Sequence, residues 1–201
     1  KGKTTYAMEG SIFIAGAGVQ WLRDRMKFFK KAPETEKIVK SLKDNNNIYL
    51  VPAFTGLGAP YWDANARGVL SGITRDTSPK EIVRATIEAV AYQTFDLFEA
   101  MKHDGLRPKI VKVDGGMVMN NWFSQFLSDI VNVKVLRPKV QETTALGAAL
   151  MAGLQIGAYK SLKDISKNWH LDKKFSPKMK NNNRKKLLKG WSKAIKRTLI
   201  N

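Results

Sequence analysis

The sequence has no cysteine and only two histidines, His103 and His170. Without cysteine there can be no disulfide bond and no thiolate zinc site, and two histidines are too few for a histidine-rich metal site. No apolar run approaches the roughly 20 residues that a membrane-spanning helix requires. A signal-peptide pattern is also missing, so we expect a protein without a membrane segment that works in the reducing cytoplasm.

Acidic residues are scarce: 17 Asp and Glu stand against 35 Lys and Arg, giving a formal net charge of +18. Most of that excess lies near the end of the chain, because residues 160–201 hold 14 basic and two acidic residues, a net +12. Such a charge raises the hypothesis of a nucleic-acid-binding module. The asparagine runs at 45–47 and 181–183 favour a general Lys/Asn bias instead, and we expect no specific nucleic-acid partner.

The amino-terminal part of the sequence predicts one short strand and two helices. Residues 6–9 have the pattern of a strand, and apolar residues recur at helical spacing over residues 12–26. A second, amphipathic helix is predicted over residues 34–43, where the asparagine run ends it. Because the chain starts at Lys1, without methionine, we expect it to be a piece of a larger protein.

Two apolar segments, residues 48–51 and 69–73, predict strands on either side of a long loop. The loop, residues 55–68, is broken by three glycines and Pro60. We expect the aromatic residues of the segment 54–62 to pack within the protein rather than to line a substrate pocket.

The clearest helix begins after Ser78 and ends near His103. Ser78 can cap it, Pro79 suits its first position, and Glu81 completes a capping box. Apolar residues form one stripe along this helix. The opposite stripe is predicted to face water, and it consists of Glu81, Arg84, Glu88, Asp96 and Glu99.

The second half of the sequence alternates strands and helices, which predicts α/β layers around one sheet. In order, the pattern gives strand 110–113, turn 114–116, helix 121–131, strand 133–136, helix 143–157 and helix 183–199. The small residues of helix 143–157 are expected to allow close packing on the sheet. The last helix has a basic face, predicted to be solvated, and an apolar face formed by Leu187, Leu188, Trp191, Ile195 and Leu199.

One candidate site lies where a strand ends in Asp114-Gly115-Gly116 and a helix follows with Asn120 and Asn121 at its start. Glycines expose the backbone, and a helix N-terminus favours anions, so this turn is suited to a nucleotide. The same residues also form ordinary turns and helix caps, so both interpretations remain open here.

Longer motifs favour the nucleotide interpretation. Residues 68–73, followed after seven residues by 81–88, resemble the C-terminal signature of the FGGY carbohydrate kinases. Within that family, five further segments resemble the glycerol-phosphorylating members, and the resemblance runs from Tyr6 to Trp191. Those segments are residues 6–10, 21–24, 51–63, 113–116 and 142–149.

The resemblance implies an actin-like, ribonuclease-H-like α/β fold and an enzyme at least about twice this length, which is expected to be a homo-oligomer. Residues 1–201 are expected to form its C-terminal nucleotide-binding domain, without the first strands of that domain. The reaction implied is transfer of the γ-phosphate of ATP, with Mg²⁺, to glycerol, giving glycerol 3-phosphate. A kinase for another polyol or sugar is the alternative within the family.

Family nucleotide contacts map onto Gly115, Gly116 and Asn120, and onto Asp76 and Lys80. The second match departs from the family pattern, because glycine is usual where Asp76 stands. A carboxylate repels phosphate unless Lys80, at the start of the helix, offsets it. Asp76 could equally serve only to organise the start of the helix.

The family's general base is an Asp in a Gly-Asp-Gln motif, and these 201 residues do not contain that motif. The resemblance therefore implies that the base and the glycerol contacts lie upstream of Lys1. Phosphoryl transfer to an alcohol needs such a base, so this chain alone is expected to be inactive.

Overall fold

The computed structural model describes residue 4 and residues 6–199, and it is a mixed α/β structure. A 3₁₀ turn, Gly116–Met119, lies between β3 and α4. The other elements are, in order, α1 Gly16–Asp24, α2 Glu34–Lys40, β1 Tyr49–Val51, β2 Val69–Ser71, α3 Pro79–His103, β3 Ile110–Lys112, α4 Asn121–Val131, β4 Lys134–Pro138, α5 Thr143–Gln155, α6 Leu162–Ser166, β5 Leu171–Phe175 and α7 Asn181–Thr198.

The strands of the described residues form two small sheets. β1 and β2 pair antiparallel, with Leu50 opposite Leu70. In the second sheet β4 is central: β3 pairs with it in parallel and β5 antiparallel, with a register irregularity next to Arg137. The sequence pattern predicted β1 to β4 to within a few residues, but it did not predict β5 or the short helix α6.

Helix α3 lies at the centre of the molecule, where it packs against α1, α2, α4 and β1. The predicted capping box is present, since the Glu81 carboxylate accepts the Ser78 backbone N–H at 3.0 Å and the Ser78 hydroxyl accepts the Lys80 N–H. Because neighbours cover α3 on several sides, it has no water-facing stripe at its amino-terminal end. The prediction was wrong for Glu81, Arg84 and Glu88, which are all buried.

Glu88 is completely buried, and polar partners surround its carboxylate. One oxygen lies 2.7 Å from Arg84 Nε. The other accepts hydrogen bonds from Tyr92 Oη at 2.8 Å and from Asn45 Nδ2 at 3.2 Å. Burial raises the pKa of the Glu88 carboxyl, and the Arg84 charge opposes that rise. These contacts join α3 to the loop before β1, and they satisfy a group that would be costly to bury alone.

Aromatic rings fill the core between α3 and α7. Tyr92 stacks on Trp191 with ring centroids 5.3 Å apart, and it meets Phe126 edge-on at 5.6 Å. Trp191 and Ile195 are buried, which confirms the predicted apolar face of α7. Leu199 is the exception, because it is exposed just beyond the end of the helix. The predicted basic face is confirmed as solvated, since it consists of exposed residues, namely Lys185, Lys186, Lys189, Lys193 and Lys196.

Two predictions for the amino-terminal part were wrong. Residues 6–9 are exposed and form no strand, because none of the described residues pairs with them. The first helix is shorter than predicted, since it begins only at Gly16. The loop 55–68 packs through Leu57 and Tyr61, as expected for Tyr61. The expectation that the aromatic residues of 54–62 pack within the protein was wrong for Trp62, which is 71% exposed.

Helix α5 was predicted to pack closely on a sheet, and that prediction was also wrong within the described residues. It is rich in Ala, Gly and Leu, yet none of its residues is buried. Its only substantial neighbour among the described elements is α6. An apolar surface therefore lies open along α5 and continues to Ile156, which is 80% exposed.

Among the described residues, none of the helices combines the length and the apolar character that a membrane crossing needs.

A partly buried carboxylate, Asp96, connects three parts of the structure. Its Oδ2 accepts two hydrogen bonds, one from Trp191 Nε1 of α7 at 2.6 Å and one from Tyr61 Oη of the loop 55–68 at 2.8 Å. Burial raises the pKa of the Asp96 carboxyl from 3.8 to about 6; the two hydrogen bonds lower it, and nearby Glu99 raises it. Asp96 therefore stays protonated in the folded protein at mildly acidic pH.

Replacing Asp96 by Asn should change how stability depends on pH. Between about pH 4 and pH 6 the unfolded chain loses this proton while the folded chain retains it, so wild-type stability falls as pH rises, by roughly 1–3 kcal/mol. Asn keeps an acceptor for Tyr61 and Trp191 but has no proton to release. Urea unfolding from pH 4 to pH 8 should show that the free energy of unfolding of Asp96→Asn rises relative to wild type between about pH 4 and pH 6, and that the difference is constant above pH 6. A difference that is constant over the whole range would contradict the role assigned to Asp96.

Candidate functional site

A cavity of about 430 Å³ opens between α1, the start of α2 and the turn between β3 and α4. Its wall includes Gly16 and Gln20 of α1, Thr35 and Glu36 of α2, and Gly116 and Asn120 of the turn. Ile87 of α3 contributes an apolar contact at the back. Small-molecule sites have this size and this mixture of apolar walls with a few polar groups.

The turn is built by backbone contacts and one side-chain cap. The Gly115 N–H donates to Gln141 O at 3.2 Å, and Gly115 has φ +82° and ψ 174°, a conformation that essentially only glycine adopts. The 3₁₀ turn follows, and Asn120 ends it. Asn120 Oδ1 then accepts a hydrogen bond from the Phe123 N–H at 3.0 Å and caps α4, which is one of the two interpretations that the sequence left open for this residue.

Gly116 faces open space. A Cβ atom added there would meet no heavy atom within 4 Å, and Gly116 is not at a positive φ. The same is true of Gly16 on the opposite wall. Neither glycine is required by the packing or by the backbone geometry of the protein itself, so both leave room at the wall of the cavity for a bound group.

The five predicted nucleotide contacts fall into two places in the structure. Gly116 and Asn120 line the cavity, and Gly115 immediately precedes them. Asp76 and Lys80 do not line it; both are exposed, at the start of α3. Their proposed contact with a nucleotide therefore stays a prediction.

Most residues of the cavity wall were not predicted as site residues from the sequence, among them Gly16, Gln20, Thr35 and Glu36. Gly16 and Gln20 share one face of α1, and the glycine-rich start of that helix was the signal that could have indicated them. Thr35 and Glu36 carry no local signal, because only the fold brings α2 beside a turn 85 residues later in the chain.

The polar groups at the turn largely bind one another. Asn120 Nδ2 donates to Thr35 Oγ1 at 3.4 Å, and the Asn121 N–H donates to Glu36 Oε2 at 3.3 Å. Burial opposes ionisation of Glu36, but Lys40 at 2.6 Å and the Asn121 N–H outweigh it and hold the Glu36 pKa below its usual value. The amino-terminal end of α4 is thus already occupied by an anionic side chain, which leaves it less available to a phosphate.

In the part of the chain that the structure describes, no group of three or more His, Asp or Glu side chains is placed to hold a metal ion. We therefore assign no metal ligand among the described residues.

Comparisons with known proteins agree on one family for this chain. The model for the FGGY family of carbohydrate kinases, C-terminal domain, matches residues 1–156. The chain is 56% identical over 196 residues to glycerol kinase 1 of Pseudomonas aeruginosa and 52% identical over 199 residues to a glycerol kinase of Clostridium botulinum. Each alignment covers 98% of this chain but 40% of the relative. The chain thus spans about two fifths of the length of these relatives.

Solved structures agree on the fold. A Plasmodium falciparum glycerol kinase with ADP superposes with a TM-score of 0.85 at 38% identity, over 96% of this chain and 38% of that one. A xylulose kinase of Lactobacillus acidophilus gives a TM-score of 0.77 at 24% identity, over 93% and 38%. The second likeness shows the fold alone, which is the actin-like, ribonuclease-H-like one that the sequence led us to expect.

The two glycines of the turn should respond differently to alanine. Gly115→Ala forces a side chain into a glycine-only conformation and should reduce the free energy of unfolding by about 1–3 kcal/mol. Gly116→Ala meets no neighbour and no positive φ, so stability should stay within about 0.5 kcal/mol of wild type. Urea unfolding of the two variants side by side checks this, and equal losses would contradict the description of the turn.

Proposed function

Since the chain belongs to the FGGY family of carbohydrate kinases, we propose that it is the C-terminal, nucleotide-binding domain of a glycerol kinase. The parent enzyme transfers the γ-phosphate of ATP to glycerol. The proposal covers residues 1–201 as one domain that lacks its first strands, in a cytoplasmic parent enzyme that forms homo-oligomers.

The cavity beside Gly116 carries this proposal. It is of ligand size, two of its glycines leave space that nothing in the protein fills, and residues predicted to contact a nucleotide lie on its wall. The similar glycerol kinase from Plasmodium falciparum was solved with ADP. We infer that the cavity receives ATP or ADP, with Gly115, Gly116 and Asn120 at the contact.

The chemistry of the parent enzyme is divided between two parts. This chain binds and orients the nucleotide, which supplies the phosphoryl group when bound. The general base and the glycerol contacts belong to the part of the parent upstream of Lys1. We keep Asp76 and Lys80 as a weaker proposal, since nothing joins them to the cavity.

Two alternatives have less support. A kinase for another sugar shares the fold, but the relatives above 50% identity over nearly the whole chain are glycerol kinases. A nucleic-acid-binding module would present aromatic side chains among its basic residues. On α7 the lysines are exposed, but Trp191 is buried in the core.

Replacing Gly116 by Val should abolish ADP binding without unfolding the protein, because the new side chain would project into the cavity and a Cβ atom at this position meets no protein atom within 4 Å. Isothermal titration with ADP measures this. Gly147 of α5 supplies the matched control, since a Cβ there also meets nothing within 4 Å. Gly147→Val should bind ADP as wild type does. Unchanged affinity in a folded Gly116→Val variant would place the nucleotide elsewhere.

The 201-residue chain should not phosphorylate glycerol. It contains no Gly-Asp-Gln motif, and loss of a well-placed general base alone costs about 10² to 10⁴ in rate. A coupled assay for glycerol-dependent ADP release, calibrated with a full-length glycerol kinase, provides the measurement. Release by the purified chain at a rate near that of the full-length enzyme would contradict the division of chemistry proposed here.

A further inference from the structure

The turn that forms the cavity wall is held from behind by a buried cation. We propose that Arg137, oriented by Asp172, is a positioning residue for nucleotide binding: it fixes the shape of the Gly116–Asn120 turn without touching the nucleotide. This inference rests on the proposed nucleotide site beside Gly116.

Arg137 lies on β4 and is only 6% exposed. Its Nη1 donates to the Val118 carbonyl at 2.8 Å and to the Met119 carbonyl at 3.4 Å, while Nη2 lies 3.4 Å from Asn121 Oδ1. One guanidinium thus binds three groups, two within the turn and one at the first residue of α4. Neither Arg137 nor Asp172 lines the cavity, so any effect on a ligand passes through the turn.

The guanidinium is suited to this task because its donors form a rigid planar fork. A lysine presents a single charged nitrogen and cannot bind both carbonyls and Asn121 at once in this arrangement. Hydrogen bonds from a charged donor in buried surroundings are stronger than neutral ones. The Val118 carbonyl also accepts the Ser124 hydroxyl at 2.9 Å, which fixes it from α4 as well.

Asp172 keeps the guanidinium in this orientation. Its Oδ2 lies 2.7 Å from Arg137 Nε, the one nitrogen of the fork that does not face the turn or Asn121. The pairing of β4 with β5 shows how it gets there. Arg137 is opposite Lys173 and Pro138 is opposite Leu171, so Asp172 is the extra residue at the register irregularity. Such bulges redirect a side chain, and here the bulge brings a carboxylate to Arg137.

The turn is fixed on its other side by Thr35 and Glu36, through the contacts with Asn120 and Asn121 described above. Those two residues line the cavity, so a change there would mix a direct effect on the ligand with an effect on the turn. Asp172 avoids that ambiguity. Its side chain is 40% exposed and contacts Arg137.

The test compares ADP affinity in four proteins by isothermal titration: wild type, Asp172→Asn, Arg137→Lys and the control Asp164→Asn. Asp164 is also a carboxylate paired with a basic residue, Lys167, but it lies on α6 away from the turn. We expect Asp172→Asn to weaken ADP binding about fivefold, Arg137→Lys about tenfold or more, and Asp164→Asn not at all.

A second readout separates positioning from general stability. In NMR spectra of the free proteins, the backbone amide signals of Gly116 and Met119 should shift in Asp172→Asn. The same signals should keep their positions in Asp164→Asn. The affinity loss should persist at temperatures well below the melting point of each variant. Should Arg137→Lys not fold, Asp172→Asn decides the question by itself.

The outcomes distinguish the two proposals. Absence of ADP binding by wild type would overturn the proposed function. Binding by wild type with unchanged affinity in folded Asp172→Asn would overturn the positioning role alone, even if the melting temperature fell. A loss of affinity with shifted Gly116 and Met119 signals supports both.

Discussion

The fully buried carboxylate of Glu88 is the constraint on which the arrangement of the other elements depends. It must be hydrogen-bonded where it lies, and its partners come from different parts of the chain: Arg84 on the same helix, Asn45 from the loop before β1, and Tyr92 facing α7. Removing one partner of such a buried pair typically costs about 3–5 kcal/mol. Because α3 is fixed in this way, Ile87 is held at the back of the cavity and the neighbouring helices have one surface to pack on.

Hydrogen bonds from polar side chains also fix the backbone turn that forms the cavity wall. Gly115 supplies the conformation, Gly116 supplies the space, and Asn120 closes the turn by capping α4. Polar contacts then hold the turn from two sides, with Arg137 behind it and α2 beside it. The glycines make a binding surface possible, while buried polar side chains keep that surface in one shape before a ligand arrives.

Local signals in the sequence were sufficient where one element determines its own structure. The capping box set the start of α3, and the bounds of α4 were predicted to the residue. Prediction failed where tertiary contacts decide. The charged residues at the start of α3 were predicted to face water because the helical periodicity of a sequence does not show which other elements pack there. In the structure, α2 and the loop 45–47 cover these residues. Strand β5 has the sequence Leu-Asp-Lys-Lys-Phe, whose one buried side chain is Phe175, so no apolar alternation marked it.

The uncovered surface of α5 has a consequence for the chain as a particle in solution. A helix of Ala, Gly, Leu and Met in contact with water attracts other apolar surfaces, including the α5 of another molecule. The net charge of +18 acts against that attraction, since like-charged molecules repel one another over about 10 Å at 0.1 M salt. Whether the isolated chain stays monomeric in solution therefore depends on the balance between apolar attraction through α5 and electrostatic repulsion from the net positive charge. Added salt screens the repulsion but leaves the apolar surface of α5 in place.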